Sequence, residues 1–147
     1  MNNNKHLLQS ERVIIEMQLS NRQSFKSVGR ELDKDPTTIA KEVKNHILYK
    51  KSGAYGRPFN DCLYRNTCST SRICGKSGCR NKLCKFCSST SCTELCPDYQ
   101  PEICLQLSKP PYICNGSEKR KSCTLEKRLY SASYAHKEYE AWLLCRV

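Results

Sequence analysis

The sequence predicts a mainly α-helical protein: a three-helix domain of the helix-turn-helix type, a small irregular cysteine-rich region stabilised by zinc, and a C-terminal helix. Three observations predict this fold class. Apolar residues recur at helical spacing near the N-terminus. All twelve cysteines follow residue 61, and the stretch 62–123, which holds eleven of them, has few large apolar side chains. Such a stretch cannot bury enough surface to fold unaided. We predict a helix-turn-helix domain at 7–47, a basic linker at 48–61, a zinc-binding cysteine-rich region at 62–123 and a helix at 124–144.

The first two helices are predicted from their caps and their apolar spacing. The first should begin at Ser10, a good N-cap residue, and end near Asn21. The second should follow Ser24, another suitable cap. Its apolar residues, from Phe25 to Leu32, fall on one face of a helix.

Asp35 and Pro36 predict the start of a third helix, with Asp as N-cap and Pro at the first helical position, where its missing N–H costs nothing. Ile39 and Val43 share one side of this helix. Two short helices joined by a turn of about four residues, with a helix in front, form the helix-turn-helix pattern.

The opposite side of the third helix carries side chains that suit DNA. Short hydroxyls, an amide and long cations are the types that reach phosphates and base edges. Glu42 lies to one side and is expected to pair with a basic neighbour. A solvated face on a small helical bundle is the alternative. The predicted DNA-binding residues are Thr37, Thr38, Lys41, Lys44 and Asn45.

The cysteines are interpreted as metal ligands because nothing in the sequence directs the chain to an oxidising compartment. The N-terminal residues have no apolar run long enough for a signal peptide, and the longest runs of large aliphatic or aromatic side chains are three residues. We therefore expect a cytoplasmic protein with reduced thiols and no association with a membrane. Thiols at short polar spacings favour zinc. Disulfides and unliganded thiols are the alternatives.

The cysteine spacing predicts two groups of four, and hence about two zinc ions. The strongest signal is Cys84-x2-Cys87, which Cys92 and Cys96 extend into a quartet. The upstream quartet is more loosely spaced. The spacing does not decide which cysteines share one zinc ion, because interleaved sites are as plausible as sequential ones. A third set of three, at 104, 114 and 123, is incomplete, and Cys145 is expected to have no role. The predicted ligands are Cys62, Cys68, Cys74, Cys79, Cys84, Cys87, Cys92 and Cys96.

The charge balance indicates a polyanionic partner. The formal net charge is +11. Zinc held by four thiolates carries −2, so two such sites would lower it to +7. A chain that remains basic favours nucleic acid, and a merely soluble basic surface is the alternative.

The final helix is predicted from an apolar stripe that runs from Leu125 through Leu129, Ala132 and Ala135 to Tyr139. We interpret this stripe as packing surface rather than as a platform for stacking bases.

Two stretches of the sequence together resemble a known family. Residues 24–32 and 35–43 are similar to the N-terminal helix-turn-helix of transposases in the insertion-sequence-thirty family, and the later cysteines, with Cys96-Pro97-Asp98 among them, resemble an insert found in some members. Three departures suggest a degraded copy. Gly29 replaces an alanine, at a cost of about 0.5–1 kcal/mol inside a helix. Asp33 replaces a turn glycine, and Ser117 replaces a further cysteine of the insert.

The resemblance implies sequence-specific DNA binding, which we expect at transposon terminal repeats. Full-length members continue into a catalytic core of ribonuclease-H type whose carboxylates hold two divalent metals. Few carboxylates follow residue 61, so we expect a non-enzymatic, truncated transposase-like chain. Expected partners are double-stranded DNA and either a second copy or a full-length transposase. The alternative function is a zinc-stabilised protein-interaction module or a transcriptional regulator unrelated to transposition.

Overall fold

A computed structural model describes residues 6–53, 57–75, 79, 83–87 and 90–146, and these form two compact units. The first unit comprises Met1–Tyr49, Gln106–Glu118 and Arg128–Val147, and the second comprises Lys50–Leu105 and Lys119–Lys127. The units divide the chain differently from the four consecutive segments predicted above. Part of the predicted cysteine-rich region belongs to the unit that contains the N-terminal helices.

The three predicted N-terminal helices are present: α1 (Gln9–Ser20), α2 (Phe25–Leu32) and α3 (Pro36–Asn45). Ser24 caps α2 through a hydrogen bond from the Ser27 N–H, as its position predicts. The predicted start of α1 at Ser10 is wrong. Leu8 is the N-cap, and the Glu11 carboxylate accepts its N–H at 2.9 Å, so the acidic side chain supplies the cap instead of a serine hydroxyl.

Gly29 is required by close packing, which corrects its interpretation as a defect. A Cβ at this position would lie 2.5 Å from the carbonyl oxygen of Lys34, in the turn between α2 and α3. Alanine would therefore clash, and the glycine permits the two helices to approach. The neighbouring Asp33 caps α2 in the left-handed conformation, with φ of 53°, as the turn position predicts.

Two predicted segments need correction: the helix at 124–144 begins later than predicted, and the linker at 48–61 begins with residues of a strand. Strand β1 (Ile47–Lys50) pairs with strand β2 (Lys127–Tyr130) in a two-stranded sheet. Helix α5 (Ala132–Cys145) begins only after β2, where the Ser131 side chain accepts the N–H of Tyr134. The apolar residues at 125 and 129 suit a strand as well as a helix, and pairing with β1 decides between the two.

The first unit has an apolar core drawn from all of its parts. Helix α1 packs on α2 and α5, and α2 packs on α3. The Asn115 side chain bonds both backbone groups of Tyr130, with both distances 2.8 Å, and thereby ties residues 106–118 to β2. The buried core residues are Leu7, Ile15, Leu19, Val28, Ile39, Val43, Ile113, Tyr130 and Ala135.

The second unit has little regular structure in its described part. A single 3-10 turn (Cys84–Phe86) and the short helix α4 (Cys92–Leu95) are joined by loops, and Cys62 forms an isolated bridge with Pro101. Among its described residues, Leu125 is the one large aliphatic side chain that is buried. Apolar burial therefore contributes little to the stability of this unit.

Nowhere in the described ranges is a helix long and apolar enough to cross a membrane.

Candidate nucleic-acid interface

Helix α3 is held at its N-terminus by the predicted cap. The Asp35 carboxylate accepts the N–H of Thr37 at 2.8 Å and the Thr37 hydroxyl at 2.6 Å. These hydrogen bonds lower the pKa of Asp35 below its usual value. The Thr37 hydroxyl proton is thus committed to the cap.

All five predicted DNA-binding side chains are exposed, but they do not form one continuous set. Thr38, Lys41 and Asn45, spaced i, i+3 and i+7, line a groove of about 540 Å³. The α5 residues Tyr139 and Trp142 line the same groove, and their rings stack with centroids 6.1 Å apart. The groove therefore combines a polar, basic helical stripe with an aromatic wall.

Lys44 lies in a different environment from Lys41. Its ammonium group is 4.5 Å from the centroid of the Tyr112 ring, and that ring in turn stacks on Phe25 of α2. A cation over an aromatic face is held electrostatically. Lys44 is thus held over an aromatic ring, whereas Lys41 interacts electrostatically with the exposed Asp35 carboxylate at the start of the same helix.

The orientation of α3 depends on a buried ion pair of which the sequence indicated only one member. Arg12, on α1, is 2% exposed and donates from Nε to Glu42 at 3.0 Å, and Glu42 also accepts the Tyr130 hydroxyl at 2.7 Å. Arg12 further donates to the Leu7 carbonyl and contacts Nδ1 of His136. Burial and the Glu42 carboxylate raise the pKa of Tyr130. The pair joins α1, α3 and β2 in one network.

Arg12 could have been found in the sequence from its position. It stands at i, i+3 and i+7 with Ile15 and Leu19, both of which are buried. A cation within the apolar stripe of a helix needs an anion on the element that covers it. Glu42, the acidic residue on α3, is that partner.

In the second unit, five of the eight predicted metal ligands line one small cavity of about 20 Å³. Cys74, Cys79 and Cys87 do not line it. Across the described ranges, no three cysteine, histidine or acidic side chains are already arranged as a group that could hold a metal ion. The five cysteines at the cavity are Cys62, Cys68, Cys84, Cys92 and Cys96.

Comparison with known families supports the assignment of the N-terminal helices. A family model described as a helix-turn-helix domain matches residues 3–46. No curated protein and no solved structure matches the chain. Helices α1, α2 and α3 therefore lie within a helix-turn-helix domain, a type of domain that places its last helix in the DNA major groove.

Proposed function

We propose that this protein binds double-stranded DNA in a sequence-specific manner through α3. The observation that carries the proposal is the exposed stripe of Thr38, Lys41 and Asn45 on the last helix of the matched domain. The capped N-terminus and the buried Arg12–Glu42 pair fix this helix on its unit, so that the stripe is preorganised.

The chemistry of the stripe suits base recognition. An asparagine amide pairs with the edge of adenine, a lysine binds guanine or phosphate, and a threonine hydroxyl bonds to several bases. Seven residues of helix span about 10 Å, which matches about three base pairs. The stripe therefore suits a short run of bases, with Lys44 set apart beside Tyr112.

We further propose that the DNA sites are terminal repeats of a mobile element, and that the chain binds them without catalysing strand transfer. The resemblance of residues 24–43 to transposases supports the first part. For the second, the sequence has few carboxylates from residue 61 onward, and three of them are engaged by other side chains: Asp61 accepts the Tyr99 hydroxyl, Glu102 pairs with Arg65, and Glu118 pairs with Arg22.

Binding should be tested on DNA selected from a random duplex pool, by fluorescence anisotropy over a range of salt concentrations. Lys41→Ala should weaken binding to all sequences and reduce the salt slope by about one, because one phosphate contact is lost. Asn45→Ala should weaken binding to the selected site by about 1–3 kcal/mol and relax specificity at one base pair.

Lys137→Ala is the matched control, because Lys137 is exposed on α5 of the same unit and does not line the groove. It removes the same charge and should leave the salt slope unchanged. Equal effects of Lys41→Ala and Lys137→Ala would show that binding is a property of net charge rather than of α3. Absence of DNA binding at low salt would favour the protein-interaction alternative.

The transposon proposal has a separate test. The selected motif should occur as inverted copies at both ends of a mobile element in the source genome. A motif confined to promoters would keep the DNA-binding function and overturn the role at terminal repeats.

A further inference from the structure

The strongest unexplained feature of the chain is the cavity lined by five thiols in the second unit. Its volume of about 20 Å³ is large enough for one water molecule or one ion and too small for an organic ligand. The thiols come from widely separated positions in the sequence. Four of the five are joined in pairs, because two polar residues each contact two cysteines.

Asn60 joins the first pair of cysteines. This buried side chain accepts the N–H of Cys62 at 2.9 Å through Oδ1 and approaches the Cys92 sulfur at 4.0 Å through Nδ2. One amide therefore positions two cysteines that are separated by thirty residues in the sequence.

Thr70 joins the second pair. Its hydroxyl lies 3.3 Å from the Cys68 sulfur, and its carbonyl accepts the N–H of Cys84 at 3.0 Å. The Cys84 sulfur accepts the N–H of Ile73 at 3.3 Å. Thr70 therefore brings the Cys68 and Cys84 thiols to the same side of the cavity.

We propose that Cys62, Cys68, Cys84 and Cys92 bind one zinc ion in this cavity. Four thiolates in a tetrahedral arrangement are a closed structural zinc site. Each thiol releases its proton to solvent on binding, so that the occupied site carries −2. The site takes two cysteines from each of the two quartets that the spacing suggested, and it is therefore interleaved.

The surroundings of the cavity suit a negatively charged centre. Lys85 and Arg65 both line it, and the Lys85 ammonium donates to the Arg65 carbonyl at 3.1 Å. Arg65 also donates to the Cys62 carbonyl at 3.0 Å. Because Arg65 is paired with Glu102, Lys85 is the cation that can offset the charge of a tetrathiolate. The hydrogen bond from Arg65 to the Cys62 carbonyl helps to fix the backbone of that ligand.

The sulfur of Cys96 is the fifth at the cavity, and we assign it no bond to the ion. Among the described contacts, the Cys96 N–H bonds the Cys92 carbonyl, as expected one turn later along α4, and neither Asn60 nor Thr70 engages its sulfur. The described thiols do not yet form a closed group, so binding requires rotation of cysteine side chains about χ1. Three of the four proposed ligands are only partly buried, which leaves room for that rotation.

The test uses the full chain purified under reducing conditions. Its zinc content should be measured by elemental analysis and native mass spectrometry for the wild type, Cys84→Ser and Cys92→Ser. Each of these variants should contain one zinc ion fewer than the wild type. Cys96→Ser and Cys145→Ser are the controls and should keep the wild-type zinc content. Cys96 lines the cavity but lies outside the proposed set, and Cys145 is an exposed thiol of α5.

A second measurement covers variants that fail to fold. Native wild-type protein should be treated with an alkylating reagent before and after chelation, and the modified cysteines mapped by mass spectrometry. Cys62, Cys68, Cys84 and Cys92 should be protected together and should become reactive together. Three results would each overturn the proposal. The purified chain could contain no zinc and take up none, it could contain iron in place of zinc, or these four thiols could be reactive in the zinc-loaded protein.

Discussion

The two units of this chain have different sources of order. Among its described residues, the first unit has a core of nine beneath four helices, and Ile15, Val28, Ile39 and Val43 belong to it. The second buries one large aliphatic side chain among its described residues and gathers thiols around a small cavity instead. The first is stabilised by apolar burial, which acts without a ligand. The second, on the zinc proposal, depends on coordination. One short chain can thus combine stabilisation by apolar burial with stabilisation by a metal ion.

Removal of zinc should have the largest effect, and this effect should be confined to the second unit. Structural zinc sites in small domains contribute about 10–16 kcal/mol at neutral pH. Chelation under reducing conditions should therefore abolish amide protection in the second unit and leave that of α1, α2 and α5 in place. Hydrogen exchange followed by mass spectrometry measures both.

The same chelator saturated with zinc beforehand is the control for this experiment and should change neither unit. Loss of protection in both units together would show that the first unit also depends on the metal. Retention in both would contradict the proposed source of order in the second.

The buried ion pair provides the next largest effect, in the first unit alone. Glu42→Ala would leave the Arg12 guanidinium buried and uncompensated, which costs about 3–5 kcal/mol. Denaturant unfolding, monitored by the helical signal, should show this loss. The control is Glu31→Ala, which removes an exposed carboxylate from α2. Equal stability of the two variants would mean that the Arg12–Glu42 contact does not hold α3 in place.

The turn between α2 and α3 allows a smaller test of packing in the first unit. Gly29→Ala places a methyl group 2.5 Å from the Lys34 carbonyl, and overpacking of this kind costs about 1–3 kcal/mol. The same denaturation experiment checks it. Lys26→Ala, at an exposed position of the same helix, should have little effect. If Gly29→Ala stabilised the protein, helix propensity would outweigh the close approach.

The Asp35 cap should give the smallest effect, visible as a dependence on pH. Because hydrogen bonds from Thr37 lower the pKa of Asp35 in the folded state, its contribution to stability is complete above the ordinary aspartate pKa. That contribution is lost as the pH falls through the lowered folded-state value. Thermal unfolding of wild type and Asp35→Asn over acidic pH measures it. Asparagine also caps helices but does not titrate in this range, so parallel curves would contradict the assignment.

The sequence could predict those parts of the protein that depend on neighbouring residues. The Ser24 and Asp35 caps, the Pro36 start and the end of α1 near Asn21 all arise from contacts within a few positions. The helix-turn-helix fold of the N-terminal region follows from these signals together with apolar spacing.

The parts that sequence reasoning missed depend on partners far along the chain. Strand β2 exists because residues 127–130 meet β1, some eighty positions earlier. The burial of Arg12 depends on Glu42 and Tyr130, and the separation of Lys44 from Lys41 depends on Tyr112. The grouping of thiols at one cavity likewise depends on Asn60 and Thr70. No local pattern encodes such pairings.

The division of the first unit into three stretches of chain has a consequence for synthesis on the ribosome. Helices α1 to α3 emerge early, but three residues that complete their core are translated much later: Ile113 near the end of the cysteine-rich region, and Tyr130 and Ala135 after it. Until then the apolar side of the three helices has no cover, and an exposed surface of this kind favours association with other chains. A nascent chain halted between residues 50 and 105 should therefore bind holdase chaperones, and release should follow once Ala135 has left the exit tunnel.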